Sequence, residues 1–337
     1  MNDKLKLRWG ILGAARINER LMPAIVEANN TELLAIASRR PGAATETLAK
    51  YAPTQTDVKT YDSLEALLEN PDIDAVYIPL ANHEHAEWTI KALQHGKHVL
   101  CEKPMALTVE DIDRIAEAAN QANRSVMEGF MYRFHPQHQR VMEILASGVL
   151  GEIRSVRSSY SFMMRPARIY RLAESIERGG GAMWDIGCYA IHSLRMFFDT
   201  EPLAVTALSK YVESGADITT SGVIDFGDGK FAHFDFSFER ARRCEYEIIG
   251  SKGGLKCHVV WQLPGDEPVV SWWTEDGQKH EEHLPVHNHF TLEIEQFSAG
   301  ILNGTAPLLS LDDARSNCRV ILAAIESAAE GKRINIT

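Results

Sequence analysis

Through the first 130 residues, short apolar runs alternate with stretches whose apolar positions recur at helical spacing. Runs at 5–12, 33–38, 75–78, 98–101 and 125–129 have strand length and are bounded by polar turns. A weaker strand candidate, third in chain order, falls near Lys59, Thr60 and Tyr61. Between them, 86–94 has a helical pattern, and Gly96 is placed to cap it. Thr108, followed three residues on by Asp111, forms an acidic capping box that opens a helix over 109–123. Strands alternating with helices imply βαβ units and a parallel sheet.

After Phe134 the pattern changes. A helical stretch at 137–147 precedes a long alternating run at 152–162. A glycine-rich turn, Gly179, Gly180 and Gly181, leads into a helix expected to reach about Phe198. From 203 to 273 several β-rich runs follow, and the Asp228-Gly229 pair between two of them is a hairpin signal. Helical segments at 289–302 and 311–330 finish the chain. The reading is an α/β chain. An N-terminal doubly wound parallel sheet of the Rossmann type spans 1–130. A C-terminal α+β domain spans 131–337 around a large, mostly antiparallel open sheet, and the last helix can pack back on the first domain. An open sheet needs cover, which a second copy in a homodimer or homotetramer would supply.

Composition narrows the function classes. At 337 residues two domains are the natural expectation. A net charge of -11 argues against nucleic acid or an anionic membrane as the main partner. No apolar run approaches the roughly 20 residues of a membrane span, and the first residues lack the apolar core of a signal peptide. The five cysteines are scattered and odd in number, which suits reduced thiols in a cytoplasm.

Five groups of residues can carry chemistry. The first strand runs into Gly10-Ile11-Leu12-Gly13-Ala14-Ala15-Arg16. A dinucleotide fold wants glycine there, so that backbone N–H groups of Gly13, Ala15, Arg16 and Ile17 can approach a pyrophosphate. The fingerprint is incomplete, because Ala15 and Asn18 hold the second and third glycine places. The second strand ends in Ser38, Arg39 and Arg40, where an NAD-specific site would carry Asp or Glu for the ribose hydroxyls. Guanidinium forks match a phosphate, so NADP is expected, with NAD possible. After the fourth strand, Leu80, Asn82 and His85 are expected to line the nicotinamide or ribose side of the cofactor.

The fifth strand ends in Cys101-Glu102-Lys103-Pro104, which sets Glu102 and Lys103 at the carboxyl edge of the sheet, where ligands of open α/β folds bind. A lysine there can do electrostatic or acid/base work, because partial burial and nearby charge shift its pKa readily. In the second half, Asp185 and Tyr189 stand four residues apart after the glycine turn and would share one helix face. Tyrosine, with an ordinary pKa of about 10, suits a hydroxyl becoming a carbonyl if neighbouring positive charge favours phenolate. The bland alternative is a helix start with a buried tyrosine. The histidines at 83, 85, 280, 283, 287 and 289 have no metal-binding spacing, so no metal is expected. No Gly-x-Ser-x-Gly elbow supports hydrolysis.

Taken together these residues resemble the glucose-fructose oxidoreductase, inositol dehydrogenase and rhizopine-catabolism family. The resemblance covers nearly the whole chain. It rests on the glycine turn, Asp74-Ala75-Val76-Tyr77-Ile78, Gly96-Lys97-His98-Val99-Leu100-Cys101-Glu102-Lys103-Pro104, Arg133-Phe134-His135-Pro136, Leu150-Gly151-Glu152-Ile153 and the block from Gly179 to Tyr189. It implies that Lys103 and Asp185 are the family's catalytic lysine and aspartate. Tyr189 stands where inositol dehydrogenases carry histidine, as in the branch containing dimeric dihydrodiol dehydrogenase and NADP-dependent D-xylose dehydrogenases. The implied activity is hydride transfer between NADP and a CH–OH or C=O group of a sugar or related cyclic polyol. In that reading Lys103 and Tyr189 form an electrostatic and acid-base pair, with Tyr160, Arg171, Asp185 and Tyr189 on the substrate. Two alternatives stay open: a ketoreductase acting on a nucleotide-linked deoxysugar or anhydroketose, and a non-catalytic NAD(P)-sensing regulator on the same fold.

Overall fold

The computed structural model describes residues 6–261 and 267–336. Leu5, where the first expected strand begins, and residues 262–266 of the β-rich run lie outside them. The chain divides into two compact units, one of residues up to 134 together with 288–315, the other of 135–287 together with 316 onward.

Among the described residues the first unit carries strands β1 (Leu7–Leu12), β2 (Thr31–Ala37), β3 (Lys59–Tyr61), β4 (Ala75–Ile78), β5 (His98–Glu102) and β6 (Val126–Gly129). They alternate with helices α1 (Asn18–Glu27), α2 (Ala43–Tyr51), α3 (Leu64–Leu68), α4 (His85–Gln94) and α5 (Val109–Ala122). The strands form one parallel sheet in the order β3-β2-β1-β4-β5-β6. Helices on both faces bury the central strands, so all four residues of β4 are buried and β1 hides Trp9, Ile11 and Leu12 completely. Edge strand β3 has only three residues, none of them buried, which is why its apolar signal is faint. The N-cap half of the expected capping box forms: Thr108 Oγ1 accepts from the Asp111 N–H at 3.1 Å, and acidic residues occupy the first turn of α5.

The second unit contributes α6 (Pro136–Ala146), strand β7 (Ile153–Met163) and helix α7 (Cys188–Arg195). Strands β8 (Ala204–Tyr211), β9 (Asp217–Asp225), β10 (Phe231–Ser237), β11 (Glu239–Gly250), β12 (Gly253–Cys257), β13 (Val269–Thr274), β14 (Lys279–His283) and β15 (Ile334–Asn335) complete its sheet. The order is β14-β13-β12-β11-β7-β10-β9-β8-β15. Among the described residues only the β7–β10 pair is parallel, and the other ladders of this sheet are antiparallel. The Asp-Gly turn closes the β9–β10 hairpin, with the Lys230 N–H donating to the Gly227 carbonyl at 2.9 Å. Helix α7 covers one face over β7 and β10, and the Ser158 and Ser193 hydroxyls meet across that packing at 3.0 Å. The other face leaves Leu208 73% and Phe231 43% exposed.

Helices α8 (His289–Asn303) and α9 (Leu311–Glu330) follow the second sheet's main strands in sequence. Helix α8 belongs to the first unit and packs on α1. Trp9 Nε1 of β1 donates to Ser298 Oγ at 3.2 Å, and the Trp9 ring meets Phe297 with centroids 6.0 Å apart. The same helix buries Glu293, and its Oε1 has no hydrogen-bond partner. Burial, reinforced by the charge of Glu102, holds its carboxyl well above the ordinary range. A folded value above the unfolded one gives stability that is fully present below the unfolded value and lost as pH rises through the folded value. Glu293→Gln removes this titration. Its Tm is expected to gain steadily on wild type as pH is raised from about 4.5, the ordinary carboxyl range. A constant difference in thermal melts across pH 5–9 would contradict the assignment.

Candidate active site

In the first unit the strand order reverses between β1 and β4, which leaves a crevice outside their carboxyl ends. Gly13 follows β1 with φ +138°, and a Cβ there would lie 3.1 Å from Leu80 Cδ2. Only glycine takes that conformation at so close an approach. Asn18, in the place of the third fingerprint glycine, is buried, and its Nδ2 donates to the Gly13 carbonyl at 2.8 Å. A side-chain amide therefore closes the turn that a second and third glycine close elsewhere. Ala15, exposed Arg16 and Ile17 complete the turn ahead of α1. A bare backbone turn at a helix start fits a pyrophosphate.

The ends of β2 and β4 add charge to this edge. Ser38 is buried, and its hydroxyl accepts from the Arg40 N–H at 3.2 Å, so it shapes the turn. Arg40 Nη2 donates to the Ala14 carbonyl of the glycine turn at 2.9 Å. Arg39 forms a two-pronged pair with Glu84, Nη1 to Oε1 at 2.6 Å and Nη2 to Oε2 at 2.9 Å. Asn82, His83 and Glu84 make a short 3-10 turn after β4, with Asn82 half-buried. His85 points inward: it is 1% exposed, with Nδ1 2.7 Å from the Pro104 carbonyl and Nε2 3.0 Å from that of Leu80. Burial pushes its pKa down against the pull of the two carbonyls, and the Lys103 charge adds to the lowering. Expected at the cofactor surface, His85 instead ties the loop after β4 to the loop after β5.

Lys103 is half-buried at the end of β5, and its bond to Pro104 is cis. Two carboxylates brace this element. Glu102 Oε1 accepts from the Tyr77 hydroxyl at 2.6 Å, and Glu128 of β6 accepts from the Met105 N–H at 2.8 Å.

In the second unit, the segment after the glycine turn departs from a plain helix. Residues Met183–Gly187 form a wider π-helical turn that runs directly into α7. A strand residue holds its start. Asp217, the fully buried first residue of β9, sets both carboxylate oxygens 3.0 Å from the Met183 N–H and accepts from Thr220 Oγ1 at 2.9 Å. Burial pushes its pKa up to about 6, against the lowering effect of those hydrogen bonds. Gly181 has φ +97°, and an added Cβ would run into Asp217 Oδ1. The π turn is a common device at functional sites, where it re-aims side chains. Here it carries Asp185, which pairs with Arg171, and leads to Tyr189. Both Asp185 and Tyr189 are 7% exposed. Tyr189 meets Tyr160 with ring centroids 6.0 Å apart, and Tyr160 stacks on Trp261 at 4.8 Å.

The structure thus gathers Tyr160 with Tyr189, and Arg171 with Asp185, in one unit. In the other it gathers Gly13, Leu80, Arg39 and Arg40 at one sheet edge, with Lys103 at the end of β5. Asp217, Glu128 and Trp261 escaped sequence reasoning, since a lone carboxylate at a strand end or a lone tryptophan gives no spacing to read. Glu84 lay inside the histidine-rich phrase but had no partner in sequence. Among the described residues no three His, Cys, Asp or Glu side chains gather to hold a metal ion.

Comparison with known proteins agrees with this architecture. Residues 7–130 match the model described as "Oxidoreductase family, NAD-binding Rossmann fold", and residues 138–256 match the GFO/IDH/MocA C-terminal domain. D-xylose 1-dehydrogenase (NADP(+)) 2 of Haloferax volcanii is 31% identical, over 98% of this chain and 100% of that protein. The dTDP-3,4-didehydro-2,6-dideoxy-alpha-D-glucose 3-reductase of Actinomadura kijaniata is 35% identical over 89% of each chain. The crystal structure of KijD10, a 3-ketoreductase from Actinomadura kijaniata in complex with NADP and TDP-benzene, superposes with a TM-score of 0.88. It is 32% identical, over 96% of this chain and 98% of that one. The chain belongs to this oxidoreductase family, which the glycine turn, the lysine-proline element and the glycine-aspartate block had indicated.

Removing the Asp217 carboxylate would leave the buried Met183 N–H without the acceptor it has, a cost of about 1–3 kcal/mol, while the Thr220 hydroxyl keeps Ser209. Asp217→Ala is therefore expected to lower the Tm by several degrees in a thermal melt. An unchanged Tm would mean that the π turn holds without it.

Proposed function

We propose that this chain transfers a hydride between NADP and a CH–OH or C=O group of a sugar or related cyclic polyol. The observation that carries the reading is the carboxyl edge of the first sheet, where the glycine turn, the Arg39–Arg40 pair and Lys103 converge on a dinucleotide's requirements. The activities of the relatives support it, one an NADP(+)-dependent D-xylose dehydrogenase and one a ketoreductase solved with NADP. Arg39, with the turn shaped by Ser38 and Arg40, would hold a 2′-phosphate, because a guanidinium fork matches phosphate geometry. Backbone N–H groups of Gly13, Ala15, Arg16 and Ile17 would receive the pyrophosphate. Leu80, Asn82 and Glu102 would flank the rest of the cofactor, with His85 fixing the two loops that carry them.

Bound NADP supplies or accepts the hydride. The chain's own residues handle the proton and the charge. Tyr189 takes the hydroxyl proton during oxidation and returns it during reduction. Lys103 stabilises the oxyanion that develops on the substrate and favours the phenolate of Tyr189. Asp185, oriented by Arg171, accepts from a substrate hydroxyl, and Tyr160, backed by Trp261, offers an apolar wall beside Tyr189. A ketoreductase on a nucleotide-linked deoxysugar is the second reading, favoured by the 35% identity with the Actinomadura reductase. Presence of both Lys103 and Tyr189 favours either enzyme over a nucleotide-sensing regulator.

The exposed face of the nine-stranded sheet, with Leu208, Phe231 and Ile249 outward, suits a homodimer or homotetramer assembled through that face. The five buried cysteines suit a reducing cytoplasm.

Lys103→Met is expected to collapse turnover while NADPH still binds; near-normal turnover would remove the role given to Lys103. Tyr189→Phe should slow the reaction by about 10²–10⁴-fold, the usual range for a general acid or base. A spectrophotometric panel of aldoses, ketoses and dihydrodiols with NADP, run beside keto-sugars with NADPH, identifies the substrate class. Silence across the panel in a chain that binds NADPH would favour the regulator.

A further inference from the structure

We propose that Glu84 determines cofactor preference by competing with the 2′-phosphate of NADP for Arg39. The inference rests on the NADP reading above and adds to it a residue that weakens the same contact. Three observations carry it.

The first is placement. In the sheet order β2-β1-β4, β1 lies between the two strands whose ends supply the pair. Arg39 stands just past the end of β2 and Glu84 on the turn after β4, so their bond arches over the end of β1, where the glycine turn begins. That is the crevice in which an open α/β sheet receives its nucleotide. The second is geometry. Both carboxylate oxygens of Glu84 engage both terminal nitrogens of Arg39, at 2.6 and 2.9 Å. This is the fork-to-fork arrangement by which arginine also takes a phosphate, so the carboxylate occupies the contact that the phosphate needs. The third is accessibility. The Arg39 side chain is 53% exposed and Glu84 19% exposed, so the arginine can swing to a ligand while the glutamate stays on its turn.

Binding of a 2′-phosphate then breaks one ion pair to make another, and leaves Glu84 as a negative charge near the incoming phosphate. Both effects reduce affinity for NADP. Neither acts on NAD, which has a ribose hydroxyl in place of the phosphate and can donate it to Glu84, the end of β2 having no carboxylate of its own. The residue thus narrows the difference between the two cofactors.

The test is a set of equilibrium titrations of NADPH and NADH, followed by protein or nicotinamide fluorescence, on wild type, Glu84→Gln, Arg39→Ala and the double variant. Glu84→Gln is expected to tighten NADPH about two- to fivefold, the scale of an exposed ion pair, and to leave NADH unchanged or weaker. In the Arg39→Ala background the same replacement should no longer tighten NADPH. Unchanged or weaker NADPH binding in Glu84→Gln, equal tightening of both cofactors, or tightening that persists without Arg39 would each overturn the proposal. If instead Arg39→Ala weakens NADPH and NADH equally, the 2′-phosphate reading itself falls, which separates the two failures.

Discussion

All six strands of the first sheet run parallel, so every one of their carboxyl ends faces the same edge. This single constraint places the chemistry. Residues scattered from Gly13 to Lys103 become neighbours because each follows a strand, not because each is near the others in sequence. The parallel arrangement in turn depends on helices covering both faces, which is why β1 and β4 are apolar along nearly their whole length. The reversal of strand order beside β1 opens the crevice, and the loops after β2, β4 and β5 are then free to carry Arg39, Glu84 and Lys103.

Buried carboxylates fix the parts of these sites that strands cannot. Glu128 holds the backbone just beyond Lys103 through the Met105 N–H, and Asp217 holds the start of the π turn through Met183. An acceptor that satisfies a buried backbone N–H avoids the penalty of leaving that donor dry, and it fixes the donor's direction at the same time. Asp217 shows the cost of the device: burial raises its pKa to about 6 despite the hydrogen bonds that favour its charge. His85 links two loops with a ring instead, its nitrogens lying against the carbonyls of Leu80 and Pro104.

Much of this is legible in the sequence. The strand over residues 75–78, the Thr108 cap with its Asp111 partner, and the helix over 311–330 appear at the positions their patterns indicate. Gly13 was legible as a turn residue, and Arg39 and Arg40 as the end of β2, because strand ends and turns are written locally. Asn18 was legible only as a missing glycine; that its amide closes the turn depends on where the Gly13 carbonyl points. The helical spacing of Asp185 and Tyr189 held only in part, since spacing counts residues but cannot register a π turn or the β9 carboxylate that holds its start.

The sequence by itself determined the alternation of strands and helices, the glycine turn, the lysine-proline element and the candidate residues, because propensity, capping and hydrophobic period act over a few neighbouring residues. Tertiary structure alone decided the partners. Glu84 sits 45 residues from Arg39, Asp217 sits 34 from Met183, and Tyr160 stacks on Trp261 across the β-rich half of the chain. Such pairs form when sheet order brings distant segments to one edge or one face. No local pattern encodes them, because the free energy that selects them belongs to the packed sheet and not to either segment.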